Sequence, residues 1–340
     1  MRSEATTKYP VVEKVIIRKI RGVSFMNEDG KEVELKPSKI NIITGSNGSL
    51  KTLFLEALST ALLHYSRSPN NVVGLLPTLR MDDSWLYYLA SEEVSMTVND
   101  LTLSNASSEE VLKLLLPTSF GHPLRYSGLK VTGPSEEETL IAYYSVATST
   151  GNSNSVQVSR KGRSREIDFV AYSMPNPMNS LFYGNFLSCV SPGLAKGKEE
   201  IKRVLGLDFI GYVPDELGRN QIAVLDERGK MLYLPMLGGG ISSMVLLLLA
   251  SSLDVVVYDN VENHLHKTLM VKLIEIMRTS RAQWFVTTQS LEFLEFLDEG
   301  KDIQVWQFKR FREKDEVLVR VHRGKEIGEY INELGIDLRG

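Results

Sequence analysis

The segment Gly45-Ser46-Asn47-Gly48-Ser49-Leu50-Lys51-Thr52 constrains this chain more than any other. Upstream, Ile40–Ile43 is a short apolar run with no polar face, the pattern of a strand buried on both sides. Downstream, Leu55, Leu58 and Leu62 recur at helical spacing until Ser68-Pro69-Asn70-Asn71 interrupts the helix. Strand, glycine-bearing turn and helix in that order make an anion cradle. Backbone N–H groups point inward and the helix N-terminus adds positive potential. The spacing predicts a phosphate-binding loop formed by residues 45–52, with Lys51 reaching the terminal phosphates and the Thr52 hydroxyl on Mg²⁺. One residue breaks the G-x-x-x-x-G-K-[ST] pattern, because Leu50 stands where the last glycine belongs. If the loop needs positive φ there, leucine costs roughly 1–2 kcal/mol. The bland alternative is a helix-initiating turn with an accidental Lys-Thr pair.

Composition removes several classes. Apolar residues make up 43% and charged residues 24% of the chain, ordinary globular usage that sets aside wholesale disorder and fibrous repeats. Lys and Arg number 39 against 42 Asp and Glu, so no global basic field marks a nucleic-acid coat. Cys189, the single cysteine, allows neither an intrachain disulfide nor a zinc finger. The first residues lack the apolar core of a secretory signal, and the longest apolar run, Met244–Ala250, is far shorter than the ~20 residues of a membrane span. The expectation is a soluble, cytoplasmic protein with no membrane partner.

Three regions are expected: 1–70, an N-terminal β part with the phosphate loop; 71–205, an inserted α+β lid; and 206–340, the second half of the core. In the first, Val11–Ile20, Val23–Met26 and Glu32–Leu35 read as strands, with Asn27-Glu28-Asp29-Gly30 as a hairpin signal. In the second, Asp83–Ala90, Ser108–Leu116 and Lys196–Leu205 read as helices, and Leu140–Val146 and Val156–Ser159 as strands around a loop over Thr148–Ser155. In the third, Phe209–Val213, Gln221–Leu225 and Met231–Leu234 alternate like strands. Gly238-Gly239-Gly240 then opens an apolar helix, and Val255–Asp259 and Trp284–Thr287 are further buried strands. Strand, loop and helix in repetition predict an α/β fold with a mixed, mostly parallel sheet.

Asp259 ends one such strand, where polar residues of an α/β sheet face the ligand crevice, and it suits Mg²⁺ held through water. His264 and His266 follow, but no soft ligand nearby completes a zinc set. Together these segments resemble the ABC-class ATPase heads of the RecF, SMC and OLD-like type, including the stand-alone AAA/OLD-like ATPases. The glycine-rich signature of that group matches Leu237-Gly238-Gly239-Gly240-Ile241-Ser242-Ser243, and its acidic block matches Val255–His266. Its switch segment matches Thr287-Thr288-Gln289-Ser290, followed by Leu291-Glu292-Phe293-Leu294, and its ending matches Gly335–Arg339.

The resemblance implies a P-loop NTPase fold, ATP and Mg²⁺ as cofactors, and a dimer. In it the signature of one subunit (Leu237, Gly238, Gly239, Gly240 and Ser242) closes over ATP on the P-loop of the other. The partner is a second copy or a related ATPase. Four positions depart from the group. Asn260 stands at the catalytic glutamate and cannot accept a proton, while Gln289 replaces the switch histidine. Gly238 replaces the signature serine, and Leu50 the loop glycine. Glu262 remains as a substitute base, so the catalytic set is Asn260, Glu262 and Gln289. Three functions stay open: a slow ATPase switch, a binding-only pseudo-ATPase that scaffolds a partner, and a nucleic-acid-binding structural protein.

Other features are weaker. Arg160-Lys161-Gly162-Arg163-Ser164-Arg165 suits nucleic-acid phosphates or a solvated hairpin face. Trp306, Phe308 and Phe311 interleave with Lys309, Arg310 and Arg312, which suits a stacking groove or an edge strand with a mixed face. Met174, Met178 and Met244 read as packing residues, and Cys189 has no basic neighbour to activate it.

Overall fold

A computed structural model describes residues 11–80, 82, 84–115, 123–148, 151–162, 166–174, 180–297, 300 and 302–333. Near the N-terminus, β1 (Val15–Ile20), β2 (Val23–Met26) and β3 (Val33–Leu35) precede β4 (Ile40–Thr44), which runs into the P-loop and the helix Lys51–Leu62. The expected hairpin between β2 and β3 is reduced to its turn and one antiparallel bridge. Both strands lie end to end along β1, Val23 beside Ile20 and Leu35 beside Val15. The Asn27–Gly30 turn is an excursion closed by a bridge between Met26 and Glu32. Burial explains the choice, since this arrangement puts Val23, Phe25, Val33 and Leu35 all in the core that β1 feeds with Val15, Ile17 and Ile20.

From β1 the sheet continues antiparallel through β5 (Ser95–Val98), β6 (Leu101–Asn105), β7 (Arg125–Thr132), β8 (Glu138–Thr148) and β9 (Gly151–Lys161). The polar stretch expected to be a loop belongs to the ladder, which pairs as far as Thr148 with Gly151. β10 (Phe169–Ser173) then lies at the opposite edge. β11 (Asp208–Pro214), β12 (Asn220–Leu225) and β13 (Met231–Tyr233) form a separate antiparallel sheet. With β14 (Val255–Asp259), β15 (Gln283–Thr288), β16 (Ile303–Phe311) and β17 (Glu316–Arg323), the large sheet has the order β10-β14-β15-β4-β16-β17-β2-β1-β5-β6-β7-β8-β9. The chain is a mixed α/β protein, as the sequence predicts.

From β10 to β16 every pairing is parallel. All residues of β4, β10, β14 and β15 are buried, which accounts for their largely apolar content, and Asn41, polar inside β4, donates to Ser38 O and Trp284 O. Parallel register delivers the ends of β4, β15 and β14 to one edge, where Thr44 pairs with Thr288 and Tyr258 with Val286. That edge is the ligand crevice of such a sheet. The edge-strand reading of the Trp306 segment is corrected, because β16 lies between β4 and β17 and Trp306 is fully buried. No helix among the described residues is long and apolar enough to cross a membrane. The motif at Gly335–Arg339 and the residues Arg163, Arg165 and Met178 lie outside the described residues.

Candidate nucleotide-binding site

The P-loop leaves β4 through Gly45 (φ 146°) and turns at Gly48 (φ 82°). A Cβ on Gly45 would lie 2.2 Å from the Phe308 carbonyl oxygen, so only glycine lets the loop pass β16. Leu50 caps the following helix at φ 70° and ψ 21°. It therefore adopts the left-handed conformation for which glycine is suited, and bears the strain that the sequence anticipates. The Lys51 ammonium donates to Gly45 O at 2.7 Å and to Ser46 O at 3.0 Å, with Ser49 Oγ at 3.5 Å. Burial pulls its pKa down, opposed by the carboxylates of Asp259 and Glu262.

Asp259 is 1% exposed. Its Oδ2 accepts from the Thr52 hydroxyl at 2.9 Å, and its Oδ1 accepts from the Thr287 hydroxyl. Burial raises the Asp259 carboxyl, while the two hydroxyls and Lys51 oppose that rise. Sequence positions 52 and 259 thus meet across the end of β15. They offer one hydroxyl and one carboxylate, a set that suits Mg²⁺, an ion that keeps several waters and takes its other ligands from phosphate. Asn260 (φ 55°) donates its side-chain amide to Asp259 Oδ2 at 3.2 Å and its backbone N–H to Thr287 Oγ1 at 2.8 Å. Glu262 Oε1 accepts from the Gln289 backbone N–H at 2.8 Å, and Glu262 Oε2 is buried with no hydrogen-bond partner.

A cleft of about 440 Å³ joins Asn47–Leu53 to Asp259, Asn260 and Gln289. Arg21, Arg80 and Arg310 also line it, and no motif selects them. The signature does not line this cleft. Gly238 (φ 74°) and Gly239 are exposed at the start of the helix Gly239–Ala250, which has no side-chain cap. Leu237 is half-buried against the core. Ser242 is 4% exposed and donates its hydroxyl to Leu234 O and Gly238 O, so that group is committed within its own subunit. A Cβ on Gly239 or Gly240 would strike His264, by its ring at 2.8 Å or its carbonyl oxygen at 2.7 Å. His264 packs there, and His266 Nδ1 caps the helix Lys267–Thr279. Arg160, expected in a basic patch, donates to His64 O and Ser66 O beyond the end of the P-loop helix. Cys189 is 4% exposed and burial pushes its thiol up to about 12, which leaves it inert.

Arg80 has a buried counter-ion that one sequence signal could have exposed. Glu56 is a lone acid among Phe54, Leu55, Ala57 and Leu58 of the P-loop helix. It is 0% exposed, and Arg80 reaches both its oxygens, Nε at 2.8 Å and Nη2 at 2.9 Å. Burial raises the carboxyl from 4.5 to about 7 despite the guanidinium, so the folded state holds this proton more tightly than the unfolded chain. Its ionisation therefore costs stability as pH rises between those values. Arg80→Ala removes the compensating charge and pushes the carboxyl higher. A loss of about 3–5 kcal/mol is expected at pH 8, shrinking toward pH 4.5, where Glu56 is protonated in the fold and half protonated in the unfolded chain. Urea denaturation at the two pH values checks this, and an equal loss at both would contradict it.

No protein-family model matches the chain, and no curated protein matches it. Similar solved structures include an Smc head bound to the C-terminal winged-helix domain of ScpA. It is 12% identical, with 94% of this chain and 100% of that one covered, at a TM-score of 0.47. Another is an Smc head with an extended coiled coil bound to the C-terminal domain of ScpA from Pyrococcus furiosus, at 10% identity, 95% and 99% coverage and a TM-score of 0.46. A third is an Smc head with a coiled coil and joint from Pyrococcus yayanosii, at 9% identity, 95% and 99% coverage and a TM-score of 0.45.

Proposed function

We propose that this protein binds ATP at the P-loop and works as a nucleotide-gated dimeric switch with slow hydrolysis. The observation that carries the reading is the meeting of Thr52 Oγ1 with Asp259 Oδ2 at 2.9 Å, beside the buried Lys51 ammonium in one cleft. Lysine, hydroxyl and carboxylate at the end of parallel strands suit a triphosphate and its divalent ion better than any other ligand class. Thr52 and Asp259 would hold Mg²⁺, which supplies charge neutralisation at the phosphates when bound. Asp259, anchored by Thr52 and Thr287, is oriented before ligand arrives. Lys51 exchanges loop carbonyls for phosphate oxygens.

What the cleft lacks supports the dimer reading. Exposed Gly238 and Gly239 present uncapped helix N–H groups, a ready anion site, away from the phosphate loop of their own chain. A second copy would bring them over the nucleotide. In this reading residues 1–70 and 206–340 form the ATPase core, and 71–205 carry partner specificity.

Sedimentation equilibrium with and without saturating Mg-ATP tests the switch. The expected result is 38.2 kDa without nucleotide and twice that mass with it. A monomer that demonstrably binds ATP would discard the dimer, and tight binding without phosphate release would favour the pseudo-ATPase scaffold.

A further inference from the structure

The large sheet ends in two unlike edges. β10 closes one, and all its residues are buried. β9 closes the other, where residues 155–158 are half-buried and 153, 154 and 159–161 exposed. β9 pairs with β8 alone, in unbroken register from Thr148 beside Gly151 to Glu138 beside Lys161. An edge strand turns every second N–H and C=O outward. Among the described residues, no main-chain group of β9 bonds anything beyond β8.

Sheets protect such an edge with charges, proline or a bulge, because it templates another strand. Over 151–159 β9 has no charge and no proline, and its register has no shift. At 11 residues it is long, against roughly five or six for most strands. It is also held firmly. β8 buries Ile141 and Tyr143 on one face and Ala142 and Tyr144 on the other, so the hairpin keeps its edge in place.

Charge decides what the edge accepts. Arg160 and Lys161 end the strand, Arg163 and Arg165 follow in sequence, and no acid occurs from Thr139 to Arg165. Arg160 is committed to His64 O and Ser66 O, whereas Lys161 makes no ion pair among the described residues. A second copy brings Lys161 no counter-ion. Parallel pairing of two β9 strands in register opposes like charges, and antiparallel pairing sets the basic end against uncharged residues or against itself. Nucleic-acid phosphates would use the cations and leave the outward carbonyls without donors. An extended acidic peptide satisfies both the main chain and the lysine.

We propose that β9 is a strand-addition site for an extended acidic segment of a partner protein, whose main chain continues the sheet and whose carboxylates lie at the Lys161 end. The inference stands apart from the nucleotide reading, because no residue of β9 lines the phosphate cleft.

Decapeptides selected from a random display library on the full chain, then synthesised and measured by fluorescence anisotropy, test it. The selected peptides should be acidic and free of proline. Their binding should slow amide exchange over 153–161 about tenfold. N-methylation along the peptide should weaken binding at alternate positions, since every second N–H would face β9. Lys161→Glu should weaken binding about fivefold, as an exposed attraction becomes a repulsion, with the melting temperature confirming the fold. A selection that yields no peptide protecting β9 would overturn the proposal, and so would an unchanged affinity in Lys161→Glu. N-methylation without alternation would also overturn it, leaving a contact of side chains alone. Protection of the same amides by single-stranded oligothymidine and by no peptide would make the hairpin a nucleic-acid surface instead. Protection that rises with protein concentration alone would make the edge a contact between copies, and the proposal would fall.

Discussion

Lys51→Ala should weaken Mg-ATP binding at least a hundredfold and bring phosphate release down to background. Lys51 is 6% exposed and already desolvated, with Asp259 and Glu262 as the carboxylates that oppose its loss of charge. A buried cation offered to a polyanion makes charge-assisted hydrogen bonds of roughly 1.5–3 kcal/mol each, and two such bonds to phosphate oxygens already exceed a hundredfold in affinity. Its present partners, Gly45 O and Ser46 O, belong to the loop that must wrap the ligand. Alanine therefore removes the phosphate contact and the brace on the loop together. Lys51→Met separates these losses, since its stem fills the same space without the charge. Calorimetry on both variants, with melting temperatures as a check on folding, gives the answer. If either variant binds ATP within threefold of the wild type, the loop is not the phosphate site.

The parts of this site legible in the sequence are those in which chemistry and local geometry sit on one short segment. Ile40–Ile43 followed by residues 45–52 specifies strand, turn and helix within a dozen or so positions, and even the cost of Leu50 is visible before its φ of 70° is known. Asp259 was legible because a buried strand that ends in a carboxylate has few explanations. The contacts that the sequence hides are long-range. Arg80 meets Glu56 across 24 positions and Arg310 reaches Gly48 across 262, so no periodicity connects them. Gln304 hides for a related reason. Its polarity suits an exposed face, but its amide is satisfied inside the core by Lys36 O and Ser38 Oγ, and its Oε1 accepts from Trp306 Nε1. A buried polar group reads as exposed until its partners are known. Arg160 is exposed on β9, the solvated hairpin face that the basic run suits, and only its bonds to His64 O and Ser66 O were hidden.

Glu262→Gln should lower ATP turnover by about 10²–10⁴-fold, the usual contribution of a general base, with ATP affinity within twofold of the wild type. Asn260 follows Asp259, yet its amide is tied to Asp259 Oδ2 and has no basic lone pair to take a proton. Glu262 has that capacity. One oxygen is fixed by the backbone N–H of Gln289, a residue of the cleft wall, and the other is buried without a hydrogen bond. A buried acceptor without a partner is costly to maintain, and Glu262 Oε2 keeps its lone pairs uncommitted to the protein. Glutamine can still accept from the Gln289 N–H, so the substitution removes basicity while keeping shape, and single-turnover phosphate release reads the difference. The companion variant, Asn260→Glu, tests whether the group expected at that position can act here. Two features oppose it: the left-handed backbone at φ 55°, a strain of roughly 1–2 kcal/mol for glutamate, and the Asp259 carboxylate alongside. A gain in turnover despite them would mean that the rest of the catalytic arrangement is intact. An unaltered rate in Glu262→Gln, with Asn260→Glu equally unchanged, would leave water as the only base and make nucleotide binding the protein's working output.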